Sequence, residues 1–249
     1  MEAEPQPNRV ERISTKRSPL LRRLKQGAAL AAKNTQHTLA PKNVPRKLFV
    51  ATPYYSQWES PEMVSDLMQG KRRAEDDPKW RESGAKTEKE YALWSWSCCG
   101  MACLKMVLAR RTGGIHPIIS LAHEVEKYGG YRASEDFIDG LYYKPLCTYL
   151  QEKHQLSARP VPALPIHEII SALAKGEDVI LSVVATIRFP ESQPPSRGGH
   201  LVLVVGYDLD KEELYIHNPS GFYGETQEAA PITFKQLKKF FDYKGVIIK

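Results

Sequence analysis

The strongest pattern in the chain is the apolar run in GGHLVLVVGYD, where Leu201, Val202, Leu203, Val204 and Val205 follow one another without a polar break. A continuous apolar run of this length predicts a strand buried on both faces. EELYIHN predicts its neighbour, joined through Asp208-Leu209-Asp210-Lys211, a short hairpin connection. DVILSVVAT before the run and FDYKGVIIK at the end predict further strands. Upstream the period changes. In SCCGMACLKMVLARR, Ala102, Met106 and Ala109, with Cys103 and Val107 beside them, recur at spacings of 3 and 4. This predicts a helix that starts at Cys98 or Cys99 and stops at Thr112-Gly113-Gly114. Helices are also expected over Ile118–Tyr128, over Phe137–Lys153 with an interruption at Pro145, and over Ile166–Lys175. Helices first and an antiparallel sheet second is an α+β arrangement.

The polar stretches divide the chain. Residues 1–47 contain no aromatic and are rich in Lys, Arg, Gln, Asn and Pro. They offer too little apolar surface to offset their ordering entropy, so a basic, disordered tail is expected. Ser18 to Ala32 could form a short helix on a partner, with Pro19 in its first turn. The folded domain is expected at 48–249, beginning with the extended, aromatic LFVATPYYSQW. Residues 59–95 read as an insertion, charge-dense and part-helical over most of its length, in the position of a lid.

Charge changes the picture less than its total suggests. The net +6 invites a nucleic-acid reading, but 1–47 hold eleven basic and three acidic residues, leaving −2 for the rest. No nucleic-acid partner is expected, although the tail could bind an acidic partner. No apolar run reaches the ~20 residues of a membrane span. The start MEAEPQPN lacks a basic n-region and apolar core, so the expected location is the cytoplasm.

Four cysteines are too few for a disulfide scaffold, and Cys98, Cys99 and Cys103 lack the paired Cys-x-x-Cys spacing of a zinc site. No metal or cofactor is expected. Cys99 stands at the predicted start of an apolar helix, where unpaired N–H groups and the helix dipole favour a thiolate, and Gly100 leaves room for a substrate carbonyl. His200 opens the most apolar strand, a costly place for an imidazole without a partner. Asn218 ends the neighbouring strand at the same sheet edge, where its amide oxygen could fix the imidazole tautomer. Gln57 and the Cys99 N–H could supply two donors to an oxyanion. Cys103 and Cys147 read as core. Trp58, Trp80, Trp94 and Trp96 cluster before the helix, as core or lid packing or as the lining of a hydrophobic cleft.

Gln, then Cys at a helix start, His at a strand start and Asn at the next strand end is the papain-like order. YYSQ, CGMACLKMVLA, GGHLVLVVGYD and YIHNPSG together resemble the bacteriocin leader-processing cysteine peptidases, peptidase family thirty-nine, over about Leu48 to Lys249. The resemblance implies a papain-like fold with the cysteine helix packed on an antiparallel sheet. By it, Cys99 matches the nucleophile, His200 the general base and Gln57 the oxyanion donor. Asn218 matches a third position where that family more often has Asp. The long segment between Gln57 and Cys99 is a second departure. The implied activity is hydrolysis of a peptide or amide bond through a thioester. The alternatives are an acyltransferase or amide-forming enzyme using the same Cys–His pair, and an inactive peptide-binding module of the same fold.

Overall fold

The computed structural model describes residues 41, 43–194 and 196–249. Apart from residues 41 and 43–47, the basic tail, including the short helix expected at 18–32, lies outside them. The elements in chain order are β1 (Lys47–Phe49), α1 (Val64–Met68), α2 (Glu88–Ser95), α3 (Cys99–Thr112), α4 (Ile118–Lys127), β2 (Tyr131–Ala133), β3 (Ile138–Gly140), α5 (Tyr143–His154), β4 (Ala158–Val161), α6 (Ile166–Ala174), β5 (Asp178–Val183), β6 (His200–Asp208), β7 (Glu213–His217), β8 (Ala230–Thr233), α7 (Phe234–Phe240) and β9 (Phe241–Ile248). The large sheet runs β4-β9-β5-β6-β7-β8, with β1 also paired to β6, and every pairing is antiparallel. This is the expected α+β arrangement.

All nine residues of β6 are buried, as its unbroken apolar run requires. The α3 helix packs across β6, and the side chains between them form the centre of the core. Gly113, at φ 71°, ends α3 where the Thr-Gly-Gly signal places the stop. The far end of α3 is tied to the sheet by charge: Arg110 Nη2 lies 2.6 Å from Asp178 Oδ1, and Arg111 Nε lies 2.7 Å from Oδ2. Asp178 opens β5 and is buried, so these pairs fix the helix lengthwise and leave its N-terminus as the presented end.

Two expectations are corrected. The helix over 137–153 begins only at Tyr143, because Ile138–Gly140 pairs with Tyr131–Ala133 as a short hairpin. Pro145 does not interrupt α5. It sits at the third helical position, where its missing N–H has no intrahelical partner to lose.

The segment between Gln57 and Cys99 is part-helical and tied into the core. Met63, Val64, Leu67, Trp80, Tyr91 and Trp94 are buried in the same cluster as the α3 side chains. Asp77, 1% exposed, accepts hydrogen bonds from the Ser60 hydroxyl at 2.6 Å and from the Tyr91 hydroxyl. Among the described residues no single helix is long and apolar enough to cross a membrane. The pair α2 and α3 passes that test only jointly, across a 91° bend.

Candidate active site

That bend brings Ser97-Cys98-Cys99 to the head of α3. Cys98 is the N-cap and is fully buried, and Cys99 is the first helical residue and half-buried. The Cys99 side chain lines a cavity of about 360 Å³ with Trp96, Leu141, Tyr143, Ser182 and His200. Its N–H belongs to the first turn, whose donors have no intrahelical acceptor. Gly100 has a different use from the open approach expected of it. A Cβ there would come within 2.6 Å of Leu141 Cδ2 and 2.9 Å of Leu201 Cδ1. Glycine therefore lets the head of α3 sit directly against the start of β6.

His200 is the first residue of β6, reached through Gly198 and Gly199 at φ 83° and 90°, a conformation that favours glycine. It is 4% exposed. Its Nε2 lies 2.8 Å from Asn218 Oδ1, just beyond the end of β7. The hairpin thus brings together the strand start and the strand end, at one sheet edge. The Ser220 N–H donates to the same Oδ1 at 3.2 Å, which fixes the orientation of the amide. An oxygen that only accepts requires a proton on Nε2, so in the neutral ring Nδ1 is the bare nitrogen. The turn carrying Asn218 is held in turn by the YYSQ segment. The Tyr54 hydroxyl donates to the Asn218 carbonyl at 2.9 Å, and the Ser56 hydroxyl and Gln57 N–H donate to the Pro219 carbonyl at 2.9 and 3.0 Å.

Gln57 itself does not line the cavity. Its side-chain amide donates to the carbonyls of Ser95 at 2.8 Å and Trp96 at 3.4 Å, at the turn between α2 and α3. The oxyanion role expected of it therefore meets an amide whose protons are already committed. Trp58, Trp80 and Trp94 are core residues, whereas Trp96 is 51% exposed and lines the cavity. Cys103 is fully buried and Cys147 half-buried.

Three participants were not legible in the sequence. The Ser220 hydroxyl lies 3.1 Å from His200 Nε2 and accepts from Arg188 Nη2 at 3.0 Å. Ser220 stands in the NPSG segment, where it reads only as a turn residue. Arg188 carries no signal in its neighbourhood that separates it from a surface arginine. Tyr143, at the first position of α5, lines the same cavity as Cys99 and Ser182.

Burial dominates the electrostatics. It pushes the His200 imidazole down to about 4; the bond to Asn218 opposes the shift and the Arg188 charge adds to it. Burial also pushes the Cys99 thiol up, against hydrogen bonds from the Leu201 and Gly100 N–H groups. Cys98 and Cys103 are pushed up further. Desolvation of both groups thus favours a neutral thiol and a neutral imidazole on the cavity wall. The thiolate–imidazolium pair favoured by the helix terminus alone is outweighed by desolvation.

The model of the Peptidase_C39 like family matches residues 51–245. Similar solved structures include the peptidase domain of Streptococcus ComA, a bi-functional ABC transporter involved in a quorum sensing pathway. It is 14% identical, with 61% of this chain and 91% of that one covered and a TM-score of 0.40. A putative C39-like peptidase from Bacillus anthracis is 16% identical, covering 61% of this chain and 88% of that one, with a TM-score of 0.44. Xylellain, a cysteine protease from Xylella fastidiosa, is 16% identical over 85% of this chain and 90% of that one, with a TM-score of 0.37. No curated protein matches the chain.

Proposed function

The chain belongs to the Peptidase_C39 like family, and from that premise we propose that it is a cysteine-dependent hydrolase of peptide or amide bonds acting in the cytoplasm. The observation that carries the reading is the shared cavity. Cys99 and His200 line it together, and Asn218 holds the Nε2 side of the ring so that Nδ1 is the free base.

Burial favours the neutral form of both groups, so His200 acts first as a general base. As the Cys99 sulfur attacks the carbonyl carbon, the thiol proton passes to Nδ1, and the Cys99 N–H donates to the developing oxyanion. The imidazolium then returns that proton to the leaving amine and a thioester remains on Cys99. Water attacks the thioester, giving up a proton to Nδ1. The sulfur leaves and recovers a proton from the ring, which restores the thiol. Holding imidazolium in a buried site is costly, and Asn218 offsets that cost by accepting from Nε2.

The test is covalent labelling of the full chain with a peptidyl chloromethyl ketone, followed by mass mapping. Adduct on Cys99, lost in Cys99→Ala and strongly slowed in His200→Ala, is the expected result. Adduct on Cys98 or Cys103, or labelling indifferent to His200, would overturn the assignment. Turnover with an added amine separates the acyltransferase alternative, since transfer leaves a product heavier by the amine.

A further inference from the structure

Arg188 ends the 3-10 turn Ala185–Arg188 and is 8% exposed. Its Nε donates to the Ala185 carbonyl at 2.9 Å and its Nη2 to the Ser220 hydroxyl at 3.0 Å, and its guanidinium carbon lies 5.9 Å from the centre of the Phe222 ring. No carboxylate among the described residues is paired with it. A cation this buried without a counter-charge is expensive. It also lines a second cavity of about 540 Å³, whose wall includes Met68, Thr186, Phe189, Phe222 and Tyr223. The volume is that of a small-ligand site. Phe189 and Tyr223 stand 51% and 66% exposed at this cavity. An uncompensated guanidinium on an apolar, aromatic wall is complementary to one chemistry: an anionic oxygen pair attached to an apolar body.

We propose that this cavity binds the carboxylate of a peptide with an adjoining aromatic side chain, held on Arg188, and that through Ser220 its occupancy is felt at His200. The path is short. Ser220 Oγ touches both Arg188 Nη2 and His200 Nε2. The titratable groups near His200 are Cys99 and Tyr143, which line the same cavity, Arg188 behind Ser220, and Asp242, packed against Gly198. Glu225, exposed on the lining of the second cavity, makes no ion pair with Arg188. Arg188 disfavours protonation of His200, so a bound carboxylate that neutralises it makes imidazolium easier to form. By reciprocity the ligand binds more tightly once His200 is protonated. The coupling rests on the reading of His200 as the base of the active site, whereas the binding does not.

The experiment uses the full chain and three probes: N-acetylphenylalanine, N-acetyl-aspartyl-phenylalaninamide and the neutral N-acetylphenylalaninamide. Affinity is read by calorimetry and the His200 midpoint by NMR of its ring protons. One or both acids are expected to bind about tenfold or more tightly than the neutral amide. Which acid wins distinguishes a chain terminus from an acidic side chain. Saturation is expected to raise the His200 midpoint. In Arg188→Gln the preference for acid is lost, and Arg188→Lys, which keeps the charge, retains part of it. Equal binding of acid and amide by the unaltered chain would overturn the site. Acid-selective binding with an unmoved His200 midpoint would overturn the coupling. Neither readout uses turnover, so an inactive Cys99 leaves the test intact.

Discussion

His200 Nε2 and Asn218 Oδ1 lie 2.8 Å apart, with the amide oxygen pinned from its other side by the Ser220 N–H. The side chains come from opposite ends of two neighbouring strands, and the bond decides which ring nitrogen is free. Removing it in Asn218→Ala releases the tautomer and is expected to lower turnover by about a hundredfold. Asn218→Asp keeps an acceptor in place and adds charge beside the ring. It is expected to retain more activity than Asn218→Ala and to raise the His200 midpoint above its value of about 4. NMR titration of the two variants checks this; a midpoint in Asn218→Asp at or below the unaltered one would contradict it.

The low His200 value also sets a pH window. An unfolded histidine titrates near 6.5, and the folded ring at about 4. Between those values the unfolded chain binds the extra proton, so stability falls as pH drops from 6.5 toward 4. The contribution that is complete above 6.5 is lost, on the order of 3 kcal/mol over the window. Urea unfolding at pH 7 and pH 4.5 measures the fall, and His200→Gln is expected to flatten it. In the same window iodoacetamide labelling of Cys99 is expected to be slow and to climb as pH rises past 9, because burial holds the thiol protonated. A plateau of fast labelling from pH 5 to 8 would mean a resting ion pair instead.

Much of this site was legible because its signals are long or chemically costly. The five-residue apolar run of β6 and the 3-and-4 spacing of α3 leave little choice of period, and a histidine heading such a strand needs a partner. Asn218 followed from the hairpin, since strand start and strand end share an edge. The missed parts are short or non-local. Three-residue strands such as β2 and β3 have no period to detect, and Pro145 reads as a breaker until the start of α5 is known. The burial of Arg188 depends on contacts with Ser220 and Phe222, both more than thirty residues away in the chain.

Gln57 separates two roles that its position alone does not. Its amide protons go to the Ser95 and Trp96 carbonyls, which lead into α3. Gln57→Ala removes this donor from both carbonyls, leaving Ser95 only the long 3.5 Å bond from the Cys98 N–H, and is expected to cost about 1–3 kcal/mol of stability. A hole-forming donor would instead lose about a hundredfold or more in kcat with little change in Tm. Measuring both in one variant decides the matter, and a large kcat loss at unchanged Tm would return Gln57 to the oxyanion.

The Lys105–Glu59 pair tests how α3 is held beneath the cavity. Lys105 is 5% exposed, its Nζ lies 3.5 Å from Glu59 Oε2 and 4.7 Å from the centre of the Tyr55 ring, and Glu59 Oε1 has no partner. Burial raises the Glu59 carboxyl above its ordinary value, against the pull of Lys105. Lys105→Met removes that pull and leaves a buried carboxylate uncompensated, a change expected to cost about 3–5 kcal/mol at pH 7. The sign with pH follows. A raised carboxyl protonates earlier in the folded state than in the unfolded one, so acid relieves the penalty. The stability gap between Lys105→Met and the unaltered chain should therefore narrow from pH 7 to pH 5. Adding Glu59→Gln to Lys105→Met removes the charge and should recover most of the loss at pH 7. A gap that is the same at both pH values, and unrelieved in the double variant, would mean that Lys105 stabilises through its packing on Tyr55 and not through Glu59.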